Sequence, residues 1–138
     1  MVDHASIETR LQRLSELTAV LATIRGEGRS SYEDESRTAL AAQYAIQQAV
    51  QICIDIGAHV ISELGLTVPD DYRGVFQELR KAGLDDALAD RLSSAAGMRN
   101  ILVHGYLDVD DDIVWGALEN LEDFSAFATA IEQIAAES

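Results

Sequence analysis

Cysteine occurs once, at Cys53, and proline once, at Pro69, in a chain of 138 residues. A single thiol excludes an internal disulfide framework and any structural zinc site built on cysteines. With only three histidines besides, there is little material for a loop-rich or metal-rich architecture. Positive charge is also scarce: 10 basic residues stand against 24 acidic ones, a formal net charge of −14. Non-specific nucleic-acid affinity scales with the phosphates neutralised, so this balance argues against a broad phosphate-binding surface, and against DNA as a ligand. A small arginine-lined cleft remains open, because nine of the ten basic residues are arginine and a guanidinium suits forked contact with phosphate. No apolar run approaches the roughly 20 residues of a membrane span. The opening Met-Val-Asp-His-Ala-Ser has no basic region leading into an apolar one, as a secretory signal would. The expectation is a cytoplasmic protein without a membrane partner.

What is present is an ordinary globular composition, 48% hydrophobic and 25% charged. The length fits a single domain over residues 1–138. Hydrophobic periodicity reads as helix throughout. From Ser6 to about Arg25, residues Ile7, Leu11, Leu14, Leu17, Leu21 and Ile24 recur at three- and four-residue steps, with Ser6 a candidate cap. Gly26, Gly28, Arg29, Ser30 and Ser31 read as a turn, with Glu33, Asp34 and Glu35 on the first turn of the next helix.

That next helix, residues 36–64, is apolar over more than half its circumference and is expected at the centre of the fold. Its remaining stripe is Tyr44, Gln48, Gln51, Asp55, His59 and Ser62. Gly65 ends it. A shorter helix over Tyr72–Ala82, another from near Asp85 towards Gly105, and a last one carrying Ile113, Leu118, Leu121, Phe124, Phe127, Ile131 and Ile134 complete the pattern. With no strand-like alternation, the expected fold is all-α, an up-and-down bundle of about five helices.

The chemistry concentrates in Arg99-Asn100-Ile101-Leu102-Val103-His104-Gly105-Tyr106. Asn100 and His104, four apart, share a helical face. Arg99 and His104, five apart, lie about 140° from each other on an unbroken helix. They can serve one substrate only if the helix breaks before His104 or if two chains combine their motifs, which is a reason to expect a symmetric homodimer. These side chains suit metal-free attack on a phosphodiester, with no cofactor. His104 could move the proton of a ribose 2′-hydroxyl or of the leaving oxygen. Arg99 could grip the phosphate at two points and stabilise its developing charge. Tyr106 and Asn100 could orient the phosphate or the imidazole. An arginine capping carbonyls, a histidine in a helix-end hydrogen bond and a tyrosine at the bundle rim would account for the same residue types.

The octet, as Arg99-Asn100-x-x-Val103-His104-x-Tyr106, resembles the motif of HEPN-domain ribonucleases. More of the chain is similar to the HepT toxins, which are partnered by a minimal nucleotidyltransferase (MNT) antitoxin. That likeness takes in the leucine-rich first helix, the long helix from Ala42 to Gln51 with Asp55 and His59-Val60-Ile61-Ser62, and the segment Tyr72-Arg73-Gly74-Val75-Phe76 with Leu79. The resemblance implies a HEPN bundle that dimerises so that two motifs line one cleft. It implies metal-independent RNA cleavage through 2′-hydroxyl attack, with Arg99 and His104 catalytic. Tyr106 would be a site residue and the hydroxyl that the antitoxin modifies with AMP, which would put charge and bulk into the cleft. The family's acid on the second helix falls on Asp55.

Other residues have simpler readings beside the functional one. His59 could line the cleft or sit satisfied at an interface, and Asp55 could orient the motif or be one wet position on a buried helix. Tyr44, Gln48 and Gln51 suit a dimer interface, and Cys53 reads as a small core residue. Asp110, Asp111 and Asp112 lack the spaced ligands of a calcium loop and are expected to cap the last helix. Residues 107–138 hold nine acids and no base, so they should face solvent or a basic partner such as the antitoxin. Two readings of another class remain: a non-catalytic module presenting nucleotide or RNA to a nucleotidyltransferase, and a purely structural dimer.

Overall fold

The computed structural model describes residues 3–105 and 109–137. Among them the chain forms seven α-helices and one 3-10 turn, with no strand. The all-α bundle is the one the periodicity predicts. The helix count is higher than about five because the expected turn after the first helix coils as a short helix and the last expected helix divides.

Helix α1 runs His4–Glu27 and starts earlier than Ser6 suggests, because Asp3 caps it by accepting the Ser6 N–H at 3.1 Å. Gly28, at φ +95°, breaks the chain in a conformation that side-chain-bearing residues avoid. The stretch expected to be a turn then coils again as α2, Arg29–Asp34. Glu33 and Asp34 therefore end one helix rather than opening the next. Tyr32 drives this: it is fully buried, its hydroxyl donates to Asp111 Oδ1 at 2.9 Å and accepts from Gln43 Nε2 at 3.2 Å, and its ring lies 6.0 Å from that of Trp115. A buried tyrosine needs such partners for its hydroxyl.

Helix α3, Ser36–Glu63, is the central element, burying residues from Ala42 to Ile61 on more than one side. Cys53 is fully buried there, and burial pushes its thiol well above the usual thiol range. Gly65, at φ +75°, closes α3: Leu66 N–H bonds Ile61 O and Gly65 N–H bonds Ser62 O, the paired pattern of a left-handed helix end. Helix α4, Tyr72–Leu79, is capped by Asp71 and lies close on α3 at Gly57, where a Cβ would come within 2.7 Å of Val75 Cγ1. A 3-10 turn, Arg80–Ala82, leads to α5, Asp86–His104, capped by Asp85 through the Leu88 N–H at 3.0 Å.

The last expected helix is two, α6 at Asp111–Leu118 and α7 at Glu122–Glu137. Asn120 divides them, its side-chain amide donating to Gly116 O at 2.7 Å and its N–H to Ala117 O at 3.1 Å. An amide side chain that bonds nearby carbonyls competes with helix continuation. Both Leu118 and Leu121 stay buried across the break. Phe127 on α7 meets Phe76 on α4 edge to face at 5.9 Å, tying α7 into the core.

The acidic tail is partly neutralised within the chain. Asp110 caps α6, Asp112 pairs with Arg29, Glu122 with Arg25 at 3.0 Å, and Asp123 with Arg91 at 3.0 Å. The backbone at Glu122 and the Arg25 guanidinium hold the Glu122 carboxyl below the usual carboxylate range.

Candidate active site

Helix α5 brings the motif to its C-terminal end. His104 is the last helical residue and is exposed; Gly105 follows, its N–H bonding Ile101 O at 2.6 Å. The Gly105 φ of −102° suits any residue, but a Cβ there would fall 2.8 Å from Ile101 O. The glycine is therefore needed for room, not for its backbone freedom. His104 is the basic side chain in the last turn of α5, the end where the helix dipole favours positive charge.

Arg99 is half-buried and held from two sides. Its Nη1 donates to Asn100 Oδ1 at 3.0 Å, and its Cζ lies 5.2 Å from the centroid of the Tyr72 ring at the start of α4. That is cation–π distance, and it fixes the guanidinium without a carboxylate. The Arg99 Nε is buried and has no acceptor among the described residues. A desolvated donor left without an acceptor is costly.

The structure does not bring every expected residue to one place. Helix α5 is continuous through His104, so Arg99 and His104 stay about 140° apart around its axis. Asp55 is exposed on α3 and bonds within its own helix, accepting from Gln51 Nε2 at 2.8 Å. His59 is half-buried, its Nε2 enclosed and without a hydrogen-bond partner among the described residues, as is Gln51 Oε1. Tyr44 is 58% exposed on the same stripe. Tyr106 lies outside the described residues. A groove of about 910 Å³ between α1 and α7, floored by Ile7, Leu11 and Phe124, contains none of the motif residues.

Tyr72 and its neighbour Arg73 join the site without having been assigned to it by sequence. Tyr72 touches Arg99, and Arg73 lies against Gly97 of α5. Helical periodicity within α5 cannot reveal a contact supplied by α4, 27 residues earlier in the chain.

The family model for Ribonuclease HepT-like proteins matches residues 7–131, nearly the whole of the described fold. The chain belongs to the HepT-like ribonuclease family. Among curated relatives, the mRNA nuclease HepT of Shewanella oneidensis is 35% identical over 89 residues, 63% of this chain and 67% of that protein. The tRNA nuclease HepT of Aphanizomenon flos-aquae is 29% identical over 118 residues, 85% of this chain and 80% of that one. Among solved structures, the tri-AMPylated Shewanella oneidensis HEPN toxin in complex with MNT antitoxin superposes with a TM-score of 0.84 at 27% identity, covering 92% of this chain and 96% of that one. The Bacillus subtilis cytosolic protein YutE, at 19% identity and a TM-score of 0.83, shares the fold. This HepT-like chain thus carries Arg99, Asn100 and His104 on the last turns of α5, in a bundle similar to that of the solved HEPN toxin. Among the described residues no helix is long and apolar enough to cross a membrane.

Proposed function

We propose that this HepT-like chain is the ribonuclease toxin of a toxin–antitoxin pair, acting in the cytoplasm as a homodimer. The observation that carries the reading is the Arg99 guanidinium, braced by Tyr72 and Asn100, with a buried Nε still open, five residues before an exposed histidine in a ribonuclease family.

The reaction is cleavage of an RNA phosphodiester by its own 2′-hydroxyl. His104 takes the hydroxyl proton as the oxygen forms a bond to phosphorus; the bond from phosphorus to the 5′-oxygen breaks, and an imidazolium returns a proton to that oxygen. A 2′,3′-cyclic phosphate and a free 5′-hydroxyl result. Arg99 meets the charge that builds on the phosphate oxygens, with Asn100 holding the guanidinium in place. Two chains are needed because one continuous α5 keeps Arg99 and His104 on different flanks. In the shared cleft, the arginine of one protomer would work with the histidine of its partner.

Tyr106, two residues past His104, is the hydroxyl we assign to AMP transfer by a nucleotidyltransferase antitoxin; a nucleotide there would block the cleft and repel RNA. Asp55 would support the motif across the dimer. The side chains supply the proton transfers and the charge stabilisation themselves, so cutting should not need a metal ion.

The test is cleavage of total cellular RNA in EDTA by the unmodified chain, beside equally well folded His104→Ala and Arg99→Ala variants. Chelator-resistant cutting lost in both variants is expected. No cutting by a chain whose mass shows a bare Tyr106 would move the assignment to a binding module.

A further inference from the structure

Although the chain has 24 acidic residues, four of its nine arginines, Arg10, Arg37, Arg73 and Arg99, have no carboxylate ion pair among the described residues. Arg13, Arg25, Arg29, Arg80 and Arg91 all pair with a carboxylate, as does Lys81. Arg73 has no carboxylate partner among the described residues, although it is exposed on the first turn of α4. Its position is fixed by α5. Ser93 Oγ donates to the Arg73 carbonyl at 3.1 Å, anchoring the backbone. The side chain then lies across Gly97, where a Cβ would fall 2.9 Å from Arg73 Cζ and 3.1 Å from its Nε. Glycine is unfavourable inside a helix, so its use at a buried position of α5 has a packing reason. Here the bare backbone is the bed of a guanidinium.

Gly97 and His104 are seven residues apart, so they share a helical face to within about 20° and stand about 10 Å apart along the axis. Arg73 is thus the guanidinium that one protomer presents on the His104 side of α5, whereas Arg99 projects from the other flank. We propose that Arg73 binds a backbone phosphate of the RNA neighbouring the one cleaved, laying the strand along the α5 face that ends at His104. This rests on the ribonuclease reading above and adds a substrate-positioning residue to it. It also explains how so acidic a chain holds a polyanion: a phosphate, not a carboxylate, completes this arginine.

The test measures binding of a dye-labelled single-stranded RNA to the full chain by fluorescence anisotropy across a salt series, in a His104→Ala background that does not cut. Arg73→Gln should weaken binding and flatten the plot of log affinity against log salt by about 0.7, the value of one single-strand phosphate contact. Gly97→Ala keeps the charge but pushes the guanidinium off its bed; it should weaken binding without lowering the melting temperature. Arg37→Gln, which removes a charge at the far start of α3, should change neither quantity. In cutting-competent protein, Arg73→Gln should raise KM several-fold while changing kcat much less. If the parent chain cuts RNA and Arg73→Gln keeps its salt slope and KM, Arg73 has no such role and the ribonuclease reading stands. If the parent chain neither binds nor cuts RNA, both readings fall. Should Gly97→Ala disturb α4, Arg73→Gln alone decides.

Discussion

Arg99 and His104 belong to one uninterrupted helix and stand about 140° apart around its axis; on the proposed reading, a single protomer would not direct both at one phosphate. A composite site makes a sharp prediction. Arg99→Ala and His104→Ala proteins, each inactive, should regain cutting when unfolded together and refolded as a mixture. Half of the dimers are mixed, and each of those keeps one of its two cross-protomer Arg99–His104 pairs, so statistical pairing gives about a quarter of the parent activity. A mixture as inactive as its components would show that each motif works within its own chain.

The close approach of α3 and α4 at Gly57 should tolerate little added volume. Gly57→Ala puts a methyl group 2.7 Å from Val75 Cγ1 and 3.1 Å from Leu79 Cδ1. Overpacking of this kind costs about 1–3 kcal/mol. Urea unfolding should show the loss as a lower midpoint with an unchanged slope.

Phe127 links the last helix to α4. It is fully buried and stacks edge to face on Phe76. Phe127→Ala should cost about 3–5 kcal/mol, enough to consume a large part of the stability of a domain this size. Thermal unfolding followed by circular dichroism checks this.

Tyr32 gives the fold an alkaline limit. Burial raises its hydroxyl from 10 to about 12, against a smaller opposing effect of the Gln43 hydrogen bond. The folded state therefore holds this proton more tightly than the unfolded chain does. Its contribution to stability is complete below pH 10 and is lost as the pH rises towards 12. Melting temperatures recorded across that window should fall more steeply for the parent chain than for Tyr32→Phe, and equal slopes would remove Tyr32 as the cause.

The helices that one face defines were legible in the sequence: α1, α3 and α5 each show in their own apolar spacing. The segments that were not legible depend on partners far along the chain. Helix α2 looked like a turn because its reason to coil is Tyr32 reaching Asp111 on α6. The α6–α7 break was masked because Leu118, Leu121, Phe124 and Phe127 keep an inward phase through it. Their unbroken three-residue steps, tighter than an α-helix, were the available sign. At the site, the octet supplied Arg99, Asn100 and His104, while Tyr72 and Arg73 entered through packing of α4 on α5. Asp55 illustrates the opposite limit, since its partner within the chain is Gln51 on its own helix.

The buried thiol of Cys53 equips the molecule with a built-in clock. It is the sole cysteine, at zero exposure in the central helix, and burial keeps it in the unreactive thiol form. A thiol-specific dye can reach it only when α3 parts from its neighbours. Where reclosing outpaces the dye, labelling reports the free energy of that opening. Each substitution above can therefore be ranked from the colour change of native protein, with no engineered probe and no denaturant.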